Sequence, residues 1–165
     1  TVLGKSQKQT SEILFMLNLV LMVAYLALGW AAPRLMRGGA NAHGVIGVGV
    51  AGMILAQAAM LFTRSEHAWM LWLLLAMCVP VTTLVQSHVA LAFPASLAGR
   101  ANSAYNLFLF IGAFATQWGF GVLADGLKAN GFGAVDAFRA SLAVAVALET
   151  AALVYFSASR AQAHD

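Results

Sequence analysis

Nine of the polar side chains inside the long apolar runs of this sequence are the residues whose types could do chemistry. They are five amides, two threonines, one histidine and one glutamate: Asn18, Gln57, Gln86, Asn106, Gln117, Thr82, Thr83, His88 and Glu149. Polar groups among apolar neighbours are costly, so they usually pair with one another or line a polar path. The sequence contains no nucleophile–base pairing, no paired carboxylates and no phosphate-binding glycine loop. The pattern therefore argues against an enzyme.

Asn106 and Gln117 are the strongest candidates for lining a substrate cavity. They are eleven residues apart, about three helical turns, so one helix presents both amides on one face. Trp118 either stacks on a substrate or anchors the helix near the membrane interface. The cavity role is also open to three further amides: Asn18, Gln57 and Gln86. For every amide, the alternative is a hydrogen bond between helices, worth about 1 kcal/mol or less.

Glu149 is the one acidic residue well inside an apolar run. A lone carboxylate in hydrocarbon has to be neutralised or paired, so Glu149 is a candidate for carrying a transported proton. Alternatively, it lies on a peripheral helix and pairs with another side chain. His88 has no second histidine at i+3 or i+4, and the single cysteine, Cys78, lies in an apolar run. No metal site and no cofactor are therefore predicted.

The composition is that of a membrane protein. Of the 165 residues, 61% are hydrophobic and 9% are charged. A soluble domain of this length usually has about a quarter charged residues. The net charge of +3 comes from basic residues scattered among the breaks between apolar runs, which argues against nucleic-acid binding. The lipid bilayer is the predicted environment.

Five apolar runs, each of roughly 20 residues or more, are long enough to cross a hydrocarbon core of about 30 Å. Backbone groups in lipid must be satisfied within the segment, so the runs are predicted to be helices. The expected fold is an all-α membrane protein, a single transmembrane helical domain over residues 1–165. Its five spans are predicted at residues 13–32, 43–62, 69–92, 103–123 and 137–156.

The second and fourth spans are rich in small residues, and the third contains a proline. Glycines recur in the second span and small residues in the fourth, which allows close approach of helix backbones: Gly44, Gly47, Gly49, Gly52, Gly112, Ala115, Gly119 and Gly121. Pro80 lies near the middle of the third span and predicts a kink there.

Orientation does not follow from the charges. Four Lys/Arg residues fall on one side of the five spans and five on the other, too even a distribution for the positive-inside rule. The chain begins with threonine and shows no signal-peptide pattern, so we expect it to be part of a longer protein.

Two breaks between the spans resemble the cytoplasmic loops in the C-terminal half of major facilitator superfamily transporters. The first, GWAAPRLMRGG at residues 29–39, resembles the degenerate copy of the family's glycine–aspartate–arginine motif through Gly29, Arg34 and Arg37. Pro33 stands where that motif has an aspartate. The second, FPASLAGRANS at residues 93–103, is followed by a run similar to the eleventh helix of bacterial major facilitator permeases.

The resemblance implies a partial major-facilitator-type C-terminal helical bundle, comprising helices 8 to 12 of a twelve-helix carrier. It implies a multi-pass protein of the bacterial inner membrane that transports a small-molecule substrate by alternating access, either coupled to protons or facilitative. The missing N-terminal half would be its partner, and four arginines would face the cytoplasm: Arg34, Arg37, Arg100 and Arg160. The alternative is a non-transporting membrane subunit or scaffold of a larger complex, and a membrane enzyme comes third.

Overall fold

The computed structural model describes residues 6–63 and 68–162, which are helical apart from short turns. Five helical stretches in this part of the chain are long and apolar enough to cross a membrane. They are Gln7–Arg37, Ala42–Phe62, Trp69–Leu91, Ala95–Ala129 and Ala134–Ala158. This confirms the prediction of an all-helical chain with five membrane-length helices, and it indicates a multi-pass membrane protein.

The individual α-helices are numbered in chain order, with the third stretch divided in two. They are α1 (Gln7–Arg37), α2 (Ala42–Phe62), α3 (Trp69–Cys78), α4 (Thr82–Leu91), α5 (Ala95–Ala129) and α6 (Ala134–Gln162). Helices α1, α5 and α6 each extend beyond the predicted apolar span at both ends. At about 1.5 Å per residue, α5 is about 50 Å long, more than the thickness of a hydrocarbon core.

Helix α1 has clear start and stop signals. Ser6 and Gln9 form a reciprocal capping box, in which each side chain accepts a hydrogen bond from the other residue's backbone N–H. The helix continues through Pro33 and ends at Arg37. Gly39 then takes a φ of +91°, a left-handed conformation that glycine adopts without steric penalty. The Asn41 side chain caps the start of α2 through the Gly44 N–H.

The predicted interruption at Pro80 is present. A 3-10 turn, Val79–Val81, separates α3 from α4, and Pro80 is fully buried within it. Proline has no N–H to donate to the preceding turn, so the α-helical hydrogen-bond pattern is interrupted there. The change in backbone geometry therefore lies directly before the polar residues Thr82 and Thr83, which begin α4.

The described chain divides into two compact units. One contains the chain up to Val81 together with the chain from Val146 onward, and the other is Thr82–Ala145. In the first unit, α3 contacts both α1 and α2; in the second, α4 contacts α5. The prediction of one helical domain over residues 1–165 stays a prediction.

In the second unit, α5 begins directly after Pro94 and ends at a turn in which Gly131 has a φ of +89°. The rings of Phe120 on α5 and Phe138 on α6 meet edge to face, with their centroids 5.4 Å apart. Ala137 at the start of α6 is fully buried. Helix α6 is therefore packed against its neighbours from its first turn.

Candidate functional site

The carboxylate of Glu149 is paired with the amide of Gln57. The Gln57 Nε2 atom donates a hydrogen bond of 2.6 Å to Glu149 Oε2 and so joins α2 to α6 within the first unit. Gln57 lies five residues before the end of α2, and Glu149 lies nine residues before the end of the apolar part of α6. The pair is therefore inside the membrane-length portions of both helices.

The two members of this pair differ in burial. Gln57 is 8% exposed, whereas Glu149 is half-buried. Buried amides nearly always have a hydrogen-bond partner, because an unpaired one costs about 1–3 kcal/mol. Gln57 was predicted to be a cavity residue and Glu149 a proton carrier, and the structure brings them together. The sequence could not predict this contact, because the residues lie 92 positions apart on different helices.

A second contact joins the same two helices near the start of α2. The ring of His43 stacks on the ring of Phe156, with centroids 3.8 Å apart and planes 5° from parallel. The His43 Nε2 atom also lies 3.3 Å from the Phe156 carbonyl oxygen. This contact was not predicted from the sequence. The only available signal was a histidine at one helix end and an aromatic residue at the end of another apolar run.

Two glycines let α2 approach the segment around Pro80. A Cβ atom at Gly49 would lie 2.6 Å from the Val81 side chain, and one at Gly52 would lie 3.0 Å from Cys78 Sγ. Both approaches are closer than ordinary side-chain packing permits. Close approach of backbones through small residues was predicted for this span. These contacts fix α2, which carries Gln57, against α3 and the 3-10 turn.

Helix α5 carries its candidate residues on a more open surface. Asn106 and Gln117 lie on the same helix, as predicted, so their spacing places them on one face. Asn106 is half-buried, Gln117 is exposed and Trp118 is 64% exposed. Residues 107–118 of α5 are all exposed among the described residues.

Asn102 adds a third amide to this face, four residues before Asn106. Its Oδ1 atom is buried and has no hydrogen-bond partner among the described residues. An unpaired buried acceptor is unusual and marks a place where a donor is expected. Asn102 was not among the predicted site residues, because residues 93–102 were predicted to form a connection between helices. Helical spacing from Asn106 would have found it.

The remaining amides occupy different positions. The Asn18 side chain is exposed on α1 and donates to the Leu14 carbonyl of its own helix over 2.8 Å. Gln86 is half-buried on α4, which packs against α5 in the second unit. The hydrogen bond of Asn18 to its own backbone weakens the case for a cavity role, since its amide already has an acceptor.

The residues of the loop motif lie on a helix and not in a loop. Gly29, Arg34 and Arg37 belong to the last turns of α1, and the connection to α2 is limited to residues 38–41. The helix continues because Pro33 removes only one backbone donor, close to the helix end. The two arginines also complement the negative end of the helix dipole.

The arginines themselves are satisfied locally. Arg34 donates from Nη1 to the Trp30 carbonyl over 2.7 Å, and its guanidinium lies 3.8 Å from the centre of the Trp30 ring. Arg37 donates from Nε to the Pro33 carbonyl over 3.2 Å. Arg100 was also predicted to lie in a connection, but it is the sixth residue of α5 and is exposed.

No protein-family model, curated protein or solved structure matches this chain. The resemblance to major facilitator transporters therefore depends on the sequence around residues 29–39 and 93–125 and supports a proposal only.

Proposed function

We propose that this chain is the C-terminal part of a major-facilitator-type secondary carrier in the bacterial inner membrane, which moves a small organic solute by alternating access. One observation carries the proposal. Three amides, Asn102, Asn106 and Gln117, lie on one face of α5, and Gln117 is exposed along a membrane-length apolar helix. Amides exposed to lipid are costly, so this face needs a polar neighbour, such as a hydrated cavity with its solute.

In this proposal, the amides of α5 bind the solute, and movement of the helices gives alternating access to it. The amide groups offer both donors and acceptors, which suits neutral polar solutes that have hydroxyl, amine or carbonyl groups. Trp118 follows Gln117 on α5 and is 64% exposed, so it would offer an aromatic surface next to that face. Alternating access requires a second half that moves against this one, so the missing N-terminal half is the required partner. The arginines at the end of α1, with Arg100 and Arg160, would face the cytoplasm.

Uptake assays on the natural gene product that contains this chain test the proposal. Reconstituted vesicles would be offered a panel of radiolabelled sugars and neutral amino acids. Where a solute is taken up, Gln117→Leu should raise the KM about three- to tenfold, the value of one hydrogen bond. Thr116→Val is the matched control, because the Thr116 hydroxyl already donates to the Gly112 carbonyl of its own helix. Equal KM values for both variants would contradict the assignment of Gln117.

A second candidate function is a non-transporting subunit that packs against other membrane helices. The glycines of α5 favour it, because Cβ atoms added at Gly112, Gly119 and Gly121 would meet nothing within 4 Å among the described residues. Such positions accept a partner helix as readily as they face a cavity.

The size of the natural gene product separates these two functions. An antibody against residues 157–165 would be used on source-cell membranes. A band at the size of a protein with about twelve helices agrees with a single-chain carrier, whereas a band at the size of this chain contradicts it. In the second case, Gly112→Leu should abolish co-purification of the partner subunit.

A further inference from the structure

We propose that Gln57 and Glu149 together form a proton-binding site, in which the amide remains hydrogen-bonded to the carboxyl group in both protonation states. The use of this site for coupling rests on the carrier function proposed above. Proton binding itself does not, so the two ideas can fail separately.

The chemistry of the partner is the first step. A lysine or arginine beside Glu149 would hold it as a permanent carboxylate, and a second carboxylate would share one proton with it. The structure provides a neutral amide, at 2.6 Å. A primary amide has two N–H donors and a carbonyl acceptor on one side chain. It can therefore serve either form of the acid.

The proton balance is simple. In the charged state, Gln57 Nε2 donates to the Glu149 carboxylate, and the pair carries a charge of −1. When one proton binds, Glu149 becomes a carboxylic acid and the pair becomes neutral. The Gln57 amide then rotates by about 180°, so that the O–H of Glu149 donates to Gln57 Oε1. The O–H bond is the one covalent bond that forms. The contact between α2 and α6 is retained while its charge changes.

Burial gives the two residues different roles. Gln57 is 8% exposed and is held on a helix that Gly49 and Gly52 bring against Val81 and Cys78. Glu149 is half-buried, so its side chain is less enclosed than that of Gln57. Gln57 acts through Glu149 and is therefore a positioning residue, whereas Glu149 binds the proton.

The first unit contains other titratable groups besides the pair. On α2, and among the described side chains of α6 from Val146 onward, the titratable groups other than Glu149 are His43 and Tyr155. His43 is fourteen residues before Gln57, about 20 Å along the helix axis. From α3, the thiol of Cys78 lies beside Gly52. The titratable groups on α1, which packs against α3, are Lys8, Glu12, Tyr25, Arg34 and Arg37.

Infrared difference spectroscopy at varied pH tests the site with the proton itself as the probe. The natural gene product would be placed in phosphatidylcholine vesicles without solute. Acidification should produce the carbonyl stretch of a carboxylic acid, and this band should be absent in Glu149→Gln. Gln57→Met, which keeps the shape but removes the amide, should shift the band and change the proton affinity about tenfold. Thr150→Val is the matched control, because the Thr150 hydroxyl already donates to Val146.

Each outcome decides the proposal. A band that persists in Glu149→Gln, or a band unchanged by Gln57→Met, would overturn it. If the variants do not fold, the wild-type spectrum decides. The absence of any acid band between about pH 4 and 9 would exclude proton exchange at this half-buried carboxyl. A Glu149 band without uptake of any solute supports the site and contradicts the carrier function. Where uptake occurs, Glu149→Gln should make it independent of a pH gradient.

Discussion

Helices α2 and α5 carry the same types of residue and use them differently. Both have glycines and amides within a membrane-length apolar segment. On α2, Gly49 and Gly52 lie against neighbouring side chains, and Gln57 is bonded to Glu149. On α5, space is open beside the glycines, and Gln117 is exposed among the described residues.

This difference shows what small and polar residues in a membrane helix indicate. They indicate that a face of the helix needs a neighbour, but they do not identify that neighbour. For α2, the neighbours lie in the same unit, so its residues hold the structure together. For α5, the described part of the chain leaves the face available for a solute, water or another helix. Substitutions on the two helices should therefore affect different properties.

The largest effect on stability is expected at Gly49. Gly49→Leu places a side chain where even a Cβ would lie 2.6 Å from Val81, so the helices must separate. We expect the free energy of unfolding to fall by about 3 kcal/mol, the upper end for overpacking. Thermal unfolding of the natural gene product in detergent measures this loss.

Gly47→Leu is the control for this prediction. It lies on the same helix two residues away, and a Cβ there would meet nothing within 4 Å. Its effect should stay within about 0.5 kcal/mol. Equal losses at Gly47 and Gly49 would mean that helix propensity, and not the contact with Val81, determines the stability of α2.

An intermediate effect is expected at Gln57. Gln57→Leu removes the donor of a part-buried hydrogen bond and should lower the free energy of unfolding by about 1–3 kcal/mol. Chemical unfolding in detergent measures the effect.

The double variant sharpens this test. Gln57→Leu with Glu149→Leu replaces both partners by apolar side chains, which is often nearly neutral for a buried pair. Its stability should approach that of the wild type. A double variant as unstable as the sum of the two single variants would show that the residues are not coupled.

The helices could be predicted from the sequence, but most of their contacts could not. Five apolar runs separated by charged breaks determine five membrane-length helices, and Pro80 determines where one is interrupted. The predicted connections were too long, because the turns at Gly39 and Gly131 need only a few residues. Local backbone preferences determine where those turns lie, and the apolar content of the sequence does not reveal these preferences.

Only part of the candidate site could be predicted, because local sequence patterns do not encode contacts between helices. The one-face arrangement of Asn106 and Gln117 follows from helical spacing alone. The pairing of Gln57 with Glu149 depends on how α2 and α6 approach each other, which no local pattern encodes. The buried oxygen of Asn102 was missed because the start of α5 was predicted about eight residues too late.

The smallest effect on stability is expected at Gln117, and it completes the contrast with Gln57. Gln117→Leu exchanges an exposed amide for an apolar side chain, so unfolding should change by no more than about 0.5 kcal/mol. Both substitutions replace a glutamine by leucine within an apolar helix, so intrinsic helix propensity cancels between them. Thermal unfolding in detergent, measured side by side, isolates the contribution of the partner. A loss at Gln117 as large as that at Gln57 would show that the amide of α5 is already paired within the folded protein. The face of α5 would then be a structural contact, and its role in binding a solute would be contradicted.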